Sequence, residues 1–364
     1  MPTLPELSAV IRDPSVLATL SPRAWEAMLP LGRRHGISGR WHDELSALGL
    51  LDRVPAPVVA HLWSDRLIAA EHTRMALWEA NRLVHALRAS TLPVVLLKGG
   101  AYILEGLAPG RARLVSDLDV LVPESGLGEA ERLLTAEGWR CAVENAYDEK
   151  YFREWMHELP PFQHTVRGTV LDVHHNILPR TCSLCPDAAT LLSRAVPASH
   201  PRLHVFHPVD MVVHSVLHGF YNGEFTNCFR DVLDVHELLT HWSGHHPGFW
   251  SELVARAADL RIERPMHYAL RYAQRLLGTA VPAEITEHFA RHAPGALAAR
   301  LMDFSVTTTY QPPVVPTPRV RVAWRLMQMR AHWIKMPPLL LARHLARKLA
   351  RRIAEGRTAD DIVG

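Results

Sequence analysis

The chain has 364 residues, of which 48% are hydrophobic and 21% charged, with a formal net charge of +3. That length suits two domains or one with large extensions, and the composition is that of an ordinary globular protein rather than a disordered or fibrous one. So small a net charge gives no ground for a polyanionic partner, and four scattered cysteines, Cys141, Cys182, Cys185 and Cys228, exclude a disulfide framework.

Of the 40 basic residues 36 are arginine, which reads as the coding bias of a GC-rich bacterial genome and not as a nucleic-acid signature. The opening MPTLPELSAVIRDPSV has no basic stretch followed by an apolar one, so no signal peptide is expected. No apolar run approaches the ~20 residues that span a bilayer. The expected location is cytoplasmic.

Residues 1–90 read as helical. SPRAWEAMLPLGRRHG opens on a serine cap with proline in the first turn, and residues 57–90 run without glycine or internal proline, with apolar residues at helical spacing. The pattern changes at residue 93. PVVLL predicts a short strand, AYILEGLAPG a short helix closed by glycine, and DLDVLVP a second strand. GLGEAERLLTAEG predicts an amphipathic helix, WRCAVEN a third strand, and FQHTVRGTVLDVHHNI two strands turning at Arg167-Gly168. From about 207 four more helices are expected, in HPVDMVVHSVLHGFY, FRDVLDVHELLTHW, FWSELVARAADL and PMHYALRYAQRLLG. QPPVVPTP reads as a linker, and the tail from 319 to 352 carries ten basic residues and no acidic one. The expected division is therefore a helical segment 1–90, an α/β core 91–200, a helical domain 201–310, and a proline-rich linker with a basic helical tail 311–364.

Two carboxylates, Asp117 and Asp119, flank one leucine in a predicted strand. Residues i and i+2 of a strand share a face, and two bare carboxylates so close repel unless a cation intervenes. Hard oxygen ligands at a strand end suit Mg²⁺. A third carboxylate, Asp172 in TVLDVHHNI, joins them if its strand pairs beside DLDVLV. Three carboxylates can hold two metal ions that clamp the entering and leaving oxygens of a phosphoryl or nucleotidyl transfer. Gly99 and Gly100, between a strand and a helix, would let backbone N–H groups approach phosphate oxygens.

LLKGGAYILEGL, RLVSDLDVLV and VLDVHHNI, in this order and spacing, resemble the DNA-polymerase-β-like nucleotidyltransferase superfamily, and in particular its bacterial branch of uncharacterised nucleotidyltransferases. The resemblance implies an α/β (α+β) core with a small mixed sheet, flanked by N- and C-terminal helical segments. It implies Asp117, Asp119 and Asp172 as catalytic metal ligands, and two Mg²⁺ ions, with Mn²⁺ as the substitute. It also implies Gly99-Gly100 as the phosphate turn and an NTP, ATP among them, as substrate. The superfamily often has serine as the second turn residue; Gly100 here lacks that hydroxyl. The acceptor is left open among a small molecule, a peptide, a protein and an RNA.

Other readings stand beside this one. Lys98 suits either a counter-charge to the aspartates or a triphosphate contact, and Arg113 and Ser116 are further phosphate candidates. His174 shares the face of Asp172, as a ligand or as the group that orients it. His207, Asp210, His214 and His218 lie on one helical face, with Asp231, Asp234 and His236 on the next helix, a pattern reminiscent of a His/Asp metal phosphohydrolase but without its adjacent His-Asp pair. Cys182 and Cys185 have knuckle spacing but lack a second pair. The basic tail would suit an RNA or an acidic membrane surface, with a solvated or packed helix favoured. A non-catalytic nucleotide-binding partner, such as the nucleotidyltransferase half of a toxin–antitoxin pair, is the main alternative to an enzyme.

Overall fold

The computed structural model describes residues 7–143, 146–222, 228–310, 316–337, 339, 341 and 342. Four helices come first: α1 (Leu7–Arg12), α2 (Pro22–Arg34), α3 (Ser38–Ala47) and α4 (Ala56–Ala86). Ser21 caps α2 by accepting from the Ala24 N–H, with Pro22 at the first helical position, as the sequence motif requires.

The α/β part follows as β1 (Val95–Leu96), α5 (Lys98–Leu104), β2 (Asp117–Leu121), α6 (Leu127–Ala136), β3 (Trp139–Cys141), α7 (Ala146–Trp155), β4 (Phe162–His164) and β5 (Val170–His174). It continues through α8 (Ala188–Leu192), β6 (Val196–Pro197) and β7 (His204–Val205). The remaining helices are α9 (Pro208–Val216), α10 (Cys228–His245), α11 (Phe249–Asp259), α12 (Glu263–Tyr272), α13 (Ala283–Ala290), α14 (Ala296–Thr309) and α15 (Pro318–Lys335). A wider π turn prolongs α9 through Leu217–Asn222 and α12 through Ala273–Leu277.

The seven strands form one mixed sheet in the order β3-β4-β5-β2-β1-β7-β6. β1 runs antiparallel to β2, and β2 runs parallel to β5. β4 and β5 are the anticipated hairpin, with Gly168 at φ +71° where a side chain would be strained. Six elements escape the sequence pattern: α7, α8, α13, α14, β6 and β7. The last of these ends at Val205, beyond the expected core limit at 200. β6 and β7 are two residues each, too short to show any alternation. Of the basic tail, Arg319, Arg321, Arg325, Arg330 and Lys335 lie on α15; Arg343, Arg347, Lys348, Arg351 and Arg352 lie outside the described residues, as do residues 311–315 of the expected linker.

A seam of buried charge joins the early helices, the sheet and α10. Arg40 on α3 donates to Glu237 on α10 at 2.6 Å, and its second nitrogen reaches the carbonyls of Ala108 and Arg111. Arg113 donates to Asp234 at 2.7 and 2.8 Å, and Arg230 pairs with the same carboxylate at 3.0 Å. Ions so far from water persist only when paired, and removing one partner of such a pair costs about 3–5 kcal/mol. The chain from Ala108 to Arg113, which leads into β2, is thereby pinned against α10.

His35, at the end of α2, packs on Phe229 of α10 with ring centroids 4.8 Å apart, and its Nε2 is buried with no hydrogen-bond partner. Burial, with Arg34 adjacent, pushes its pKa down to about 4. The unfolded chain, with an ordinary imidazole, therefore binds an extra proton between about pH 6.5 and 4. Stability from this contact is complete above that window and falls by about 3 kcal/mol as pH drops through it. Urea unfolding at pH 7.5 and 4.5 should show His35→Gln with a shallower acid loss than the wild type; equal losses would remove His35 from the acid response.

Candidate active site

The parallel pairing of β2 and β5 sets Asp119 directly beside Asp172, and Asp117 beside Val170. Alternation along each strand then puts Asp117, Asp119, Asp172 and His174 on one face and Leu118, Val120, Leu171 and Val173 on the other, where all four apolar residues are buried. The three aspartates of the sequence pattern thus meet on one face of the central strands. Asp117 is half-buried and accepts from the Ser116 hydroxyl at 3.1 Å.

Asp119 is buried and doubly held. Its Oδ1 accepts from Lys98 Nζ at 2.8 Å and from His174 Nε2 at 2.9 Å. Burial alone would raise its carboxyl, but the Lys98 ammonium and the His174 hydrogen bond outweigh that and hold it far below the ordinary carboxylate range. Burial likewise opposes the charge on Lys98, and Asp119, with Glu158 and Asp117 further out, raises its pKa regardless. Asp172 has no such cation. Burial, then the charges of Asp119 and Glu158, push it up to about 7, and its Oδ1 is buried with no hydrogen-bond partner. An orphaned carboxylate oxygen beside two more carboxylates is a donor set that fits a divalent cation.

Lys98 has φ +45°, a left-handed conformation that is uncommon outside glycine and costs on the order of 1–3 kcal/mol. It is the first residue of α5, and the strained turn carries its side chain to β2. The next two residues are glycine for reasons of space. A Cβ on Gly99 would lie 2.7 Å from Arg113 Nε, and one on Gly100 would lie 3.0 Å from Leu118 Cδ2. Their N–H groups precede the first intrahelical bond, from Ala101 to Leu97, and so belong to the unpaired first turn. Arg113 is committed elsewhere: besides Asp234 its Nη1 reaches the Pro109 carbonyl at 3.3 Å, and its guanidinium lies over the Tyr102 ring.

Glu158 and His157 belong to the site and were missed from sequence. Glu158 forms an antiparallel bridge with His174, and its carboxylate lies 3.3 Å from His174 Nδ1. Both follow α7, which has no sequence signature of its own; the His-Glu dipeptide was the one available signal. On the helical side, His214 of α9 is buried and its imidazole is pushed well down, by burial first and then by the Lys98 charge. His218, in the π turn after α9, has its pKa pushed down by the surrounding protein and then by Lys98. Asp231 on α10 is pushed up to about 7 by burial and by neighbouring Asp234.

The other sequence candidates separate from the site. Asp210 is fully buried between Arg194 at 3.0 Å and Arg256 at 2.6 Å, so the expected row from His207 to His218 is not one metal face. His236 bonds Thr279. Burial pushes the Cys182 thiol up to about 12, and among the described residues neither Cys182 nor Cys185 joins a group of three ligand atoms close enough for an ion. A cavity of about 880 Å³ lined by Tyr221, Tyr268, Arg330 and Trp333 contains none of the aspartates.

A mixed sheet whose central strands present an Asp-x-Asp and a third aspartate on one face is the arrangement of a nucleotidyltransferase core. A family model described as "Uncharacterised nucleotidyltransferase" matches residues 21–278, and the chain belongs to that family. The match takes in the sheet and the helices from α2 through the π turn after α12. No curated protein and no solved structure matches the chain. No helix among the described residues is long and apolar enough to cross a membrane.

Gly99→Ala should cost about 1–3 kcal/mol, because the pinned Arg113 cannot yield to a new Cβ. Gly128, on α6 with nothing within 4 Å of the place a methyl group would occupy, should instead gain up to about 1 kcal/mol as alanine. Denaturant midpoints of the two variants check the contrast, and a Gly99→Ala midpoint at or above that of Gly128→Ala would contradict the close approach.

Proposed function

We propose that the protein transfers a nucleoside monophosphate from an NTP to an acceptor hydroxyl and releases pyrophosphate. The observation that carries this reading is the register of β2 against β5, which sets Asp119 beside Asp172 with Asp117 on the same face. Mg²⁺, with Mn²⁺ as the substitute, would be held as two ions by Asp117, Asp119 and Asp172 and would neutralise charge on the transferring phosphoryl group.

The chain's own groups then divide the work. Asp119 stays ionised because Lys98 and His174 hold it so. Asp172 lies on the acceptor side and takes the hydroxyl proton as the acceptor oxygen bonds to the α-phosphorus. The bond from that phosphorus to the α,β-bridging oxygen breaks, and pyrophosphate leaves. The N–H groups of Gly99 and Gly100 and the Ser116 hydroxyl receive the phosphates, and Lys98 adds positive charge at that end. Arg113 serves indirectly, by fixing the entry to β2 through Asp234. The helices that follow residue 207 wall the cleft and select the acceptor.

Incubation with each labelled NTP, Mg²⁺ and a bacterial lysate should move label into a protein, an RNA or a small-molecule fraction, which identifies the acceptor class. Asp117→Ala should lower that transfer by about 10³-fold or more. Transfer that survives Asp117→Ala would sink the reading, and NTP binding without transfer would favour a non-catalytic nucleotide-binding partner.

A further inference from the structure

Two groups of described residues bring three metal-ligand atoms within 4.8 Å of one another: His157, Glu158 and His174, and His207, His246 and Glu252. The aspartate trio is not one of them. The second group already holds a cation. Arg194 donates to Glu252 and Asp210, and its Nη2 lies 3.1 Å from His207 Nδ1. The first group contains no guanidinium.

The backbone fixes the first group. Leu159 N–H bonds to the Val173 carbonyl at 2.8 Å, and the N–H groups of His175 and Asn176 bond to the His157 carbonyl. This zips the 157–159 segment onto the end of β5 and sets the two imidazoles with ring centroids 5.1 Å apart. His157 is 7% exposed and His174 2%, and the Nδ1 of each is buried with no hydrogen-bond partner, that of His174 lying 3.3 Å from the Glu158 carboxylate. A buried polar atom without a partner carries a desolvation cost of about 1–3 kcal/mol, and two at one place call for a shared partner.

His174 is held through its other nitrogen: Nε2 donates to the Asp119 carboxylate at 2.9 Å, which leaves Nδ1 directed at the cluster, 3.3 Å from the Glu158 carboxylate. A carboxylate behind an imidazole in this way is the arrangement that orients metal-bound histidines. Three carboxylates, Asp117, Asp119 and Glu158, act on the charges of both Lys98 and Asp172, and Lys98 is a cation set against them.

We propose that His157, Glu158 and His174 bind a transition-metal ion of the zinc class, at a centre separate from the oxygen-ligand Mg²⁺ site. Two imidazoles and a carboxylate suit zinc and its neighbours, whereas Mg²⁺ takes oxygen. The two centres meet at Asp119, which orients His174 for one and serves as a ligand in the other. The inference extends the transfer reading through that shared residue but rests on the His-Glu-His geometry.

Full-length protein stripped with a chelator and titrated with Co²⁺ should develop visible d–d absorption at one equivalent, and Zn²⁺ should displace it while Mg²⁺ does not. Glu158→Gln, which keeps shape, and His157→Gln should each weaken Co²⁺ binding by tenfold or more. Asp119→Asn should weaken it by about 10- to 100-fold through loss of the orienting carboxylate. Asp117→Ala should leave the band intact while removing nucleotide transfer. Circular dichroism verifies that each variant folds. Isotherms of Glu158→Gln and His157→Gln that coincide with the wild type, or no band in the wild type, would overturn the proposal whatever the transfer assay shows. A band without transfer would uphold it and count against the transfer reading alone.

Discussion

The site depends on one buried carboxylate, Asp119, being kept charged. Taking an ion out of water is costly, and Asp119 is compensated from two directions, by the Lys98 ammonium and by the His174 imidazole. Each partner has structural consequences. Lys98 reaches Asp119 from a left-handed backbone position that lysine rarely adopts, so the β1–α5 turn accepts strain in order to place that charge. His174 reaches it because β5 lies parallel to β2, a pairing that requires a long crossover between the two strands, made here by α6, β3, α7 and β4. Asp172 sits in the same register without a cation, and so its carboxyl is raised where that of Asp119 is lowered.

The surrounding helices act on this centre through charge as well as packing. Arg40, Arg113 and Arg230 form a buried set answered by Asp234 and Glu237 of α10. Pairs of this kind add little net stability over apolar packing, but they fix position, since an unpaired ion in the same place would be severely penalised. The result is that α10 cannot slide relative to the 108–113 segment, and that segment sets the start of β2 and hence of Asp117. Gly99 belongs to the same constraint, because its missing side chain is the space through which Arg113 passes.

Much of this was legible in the sequence. The Asp-x-Asp strand, the LDVHH strand, the hairpin at Gly168 and the long helix to Ala86 all follow from local periodicity and turn chemistry. The α/β core and its family also follow, because the order of three short motifs is a long-range statement written in local residues. What remained hidden is pairing. Nothing local says that Glu158 would bridge to His174, or that Arg113 would find Asp234 far along the chain rather than a phosphate. The row His207, Asp210, His214, His218 is a true helical spacing, yet buried arginines claim Asp210 and divide the row by partner. The sequence explains Gly99 and Gly100 by what their backbone offers; the structure adds the packing that a side chain at either position would obstruct.

Two histidine–glutamate clusters in one chain show what decides between an ion-pair network and a metal centre. In each, two imidazoles and one carboxylate come within reach of a common point. At His207, His246 and Glu252 a guanidinium enters, so every donor has an acceptor inside the chain and the cluster is closed. At His157, Glu158 and His174 the Lys98 ammonium is turned toward Asp119, which leaves the Nδ1 of both histidines buried without a hydrogen-bond partner. A cation from outside the chain satisfies both nitrogens and the carboxylate at once. The strain at Lys98 then has a second consequence: it directs the ammonium onto Asp119, so the neighbouring cluster feels that charge without receiving a hydrogen bond from it.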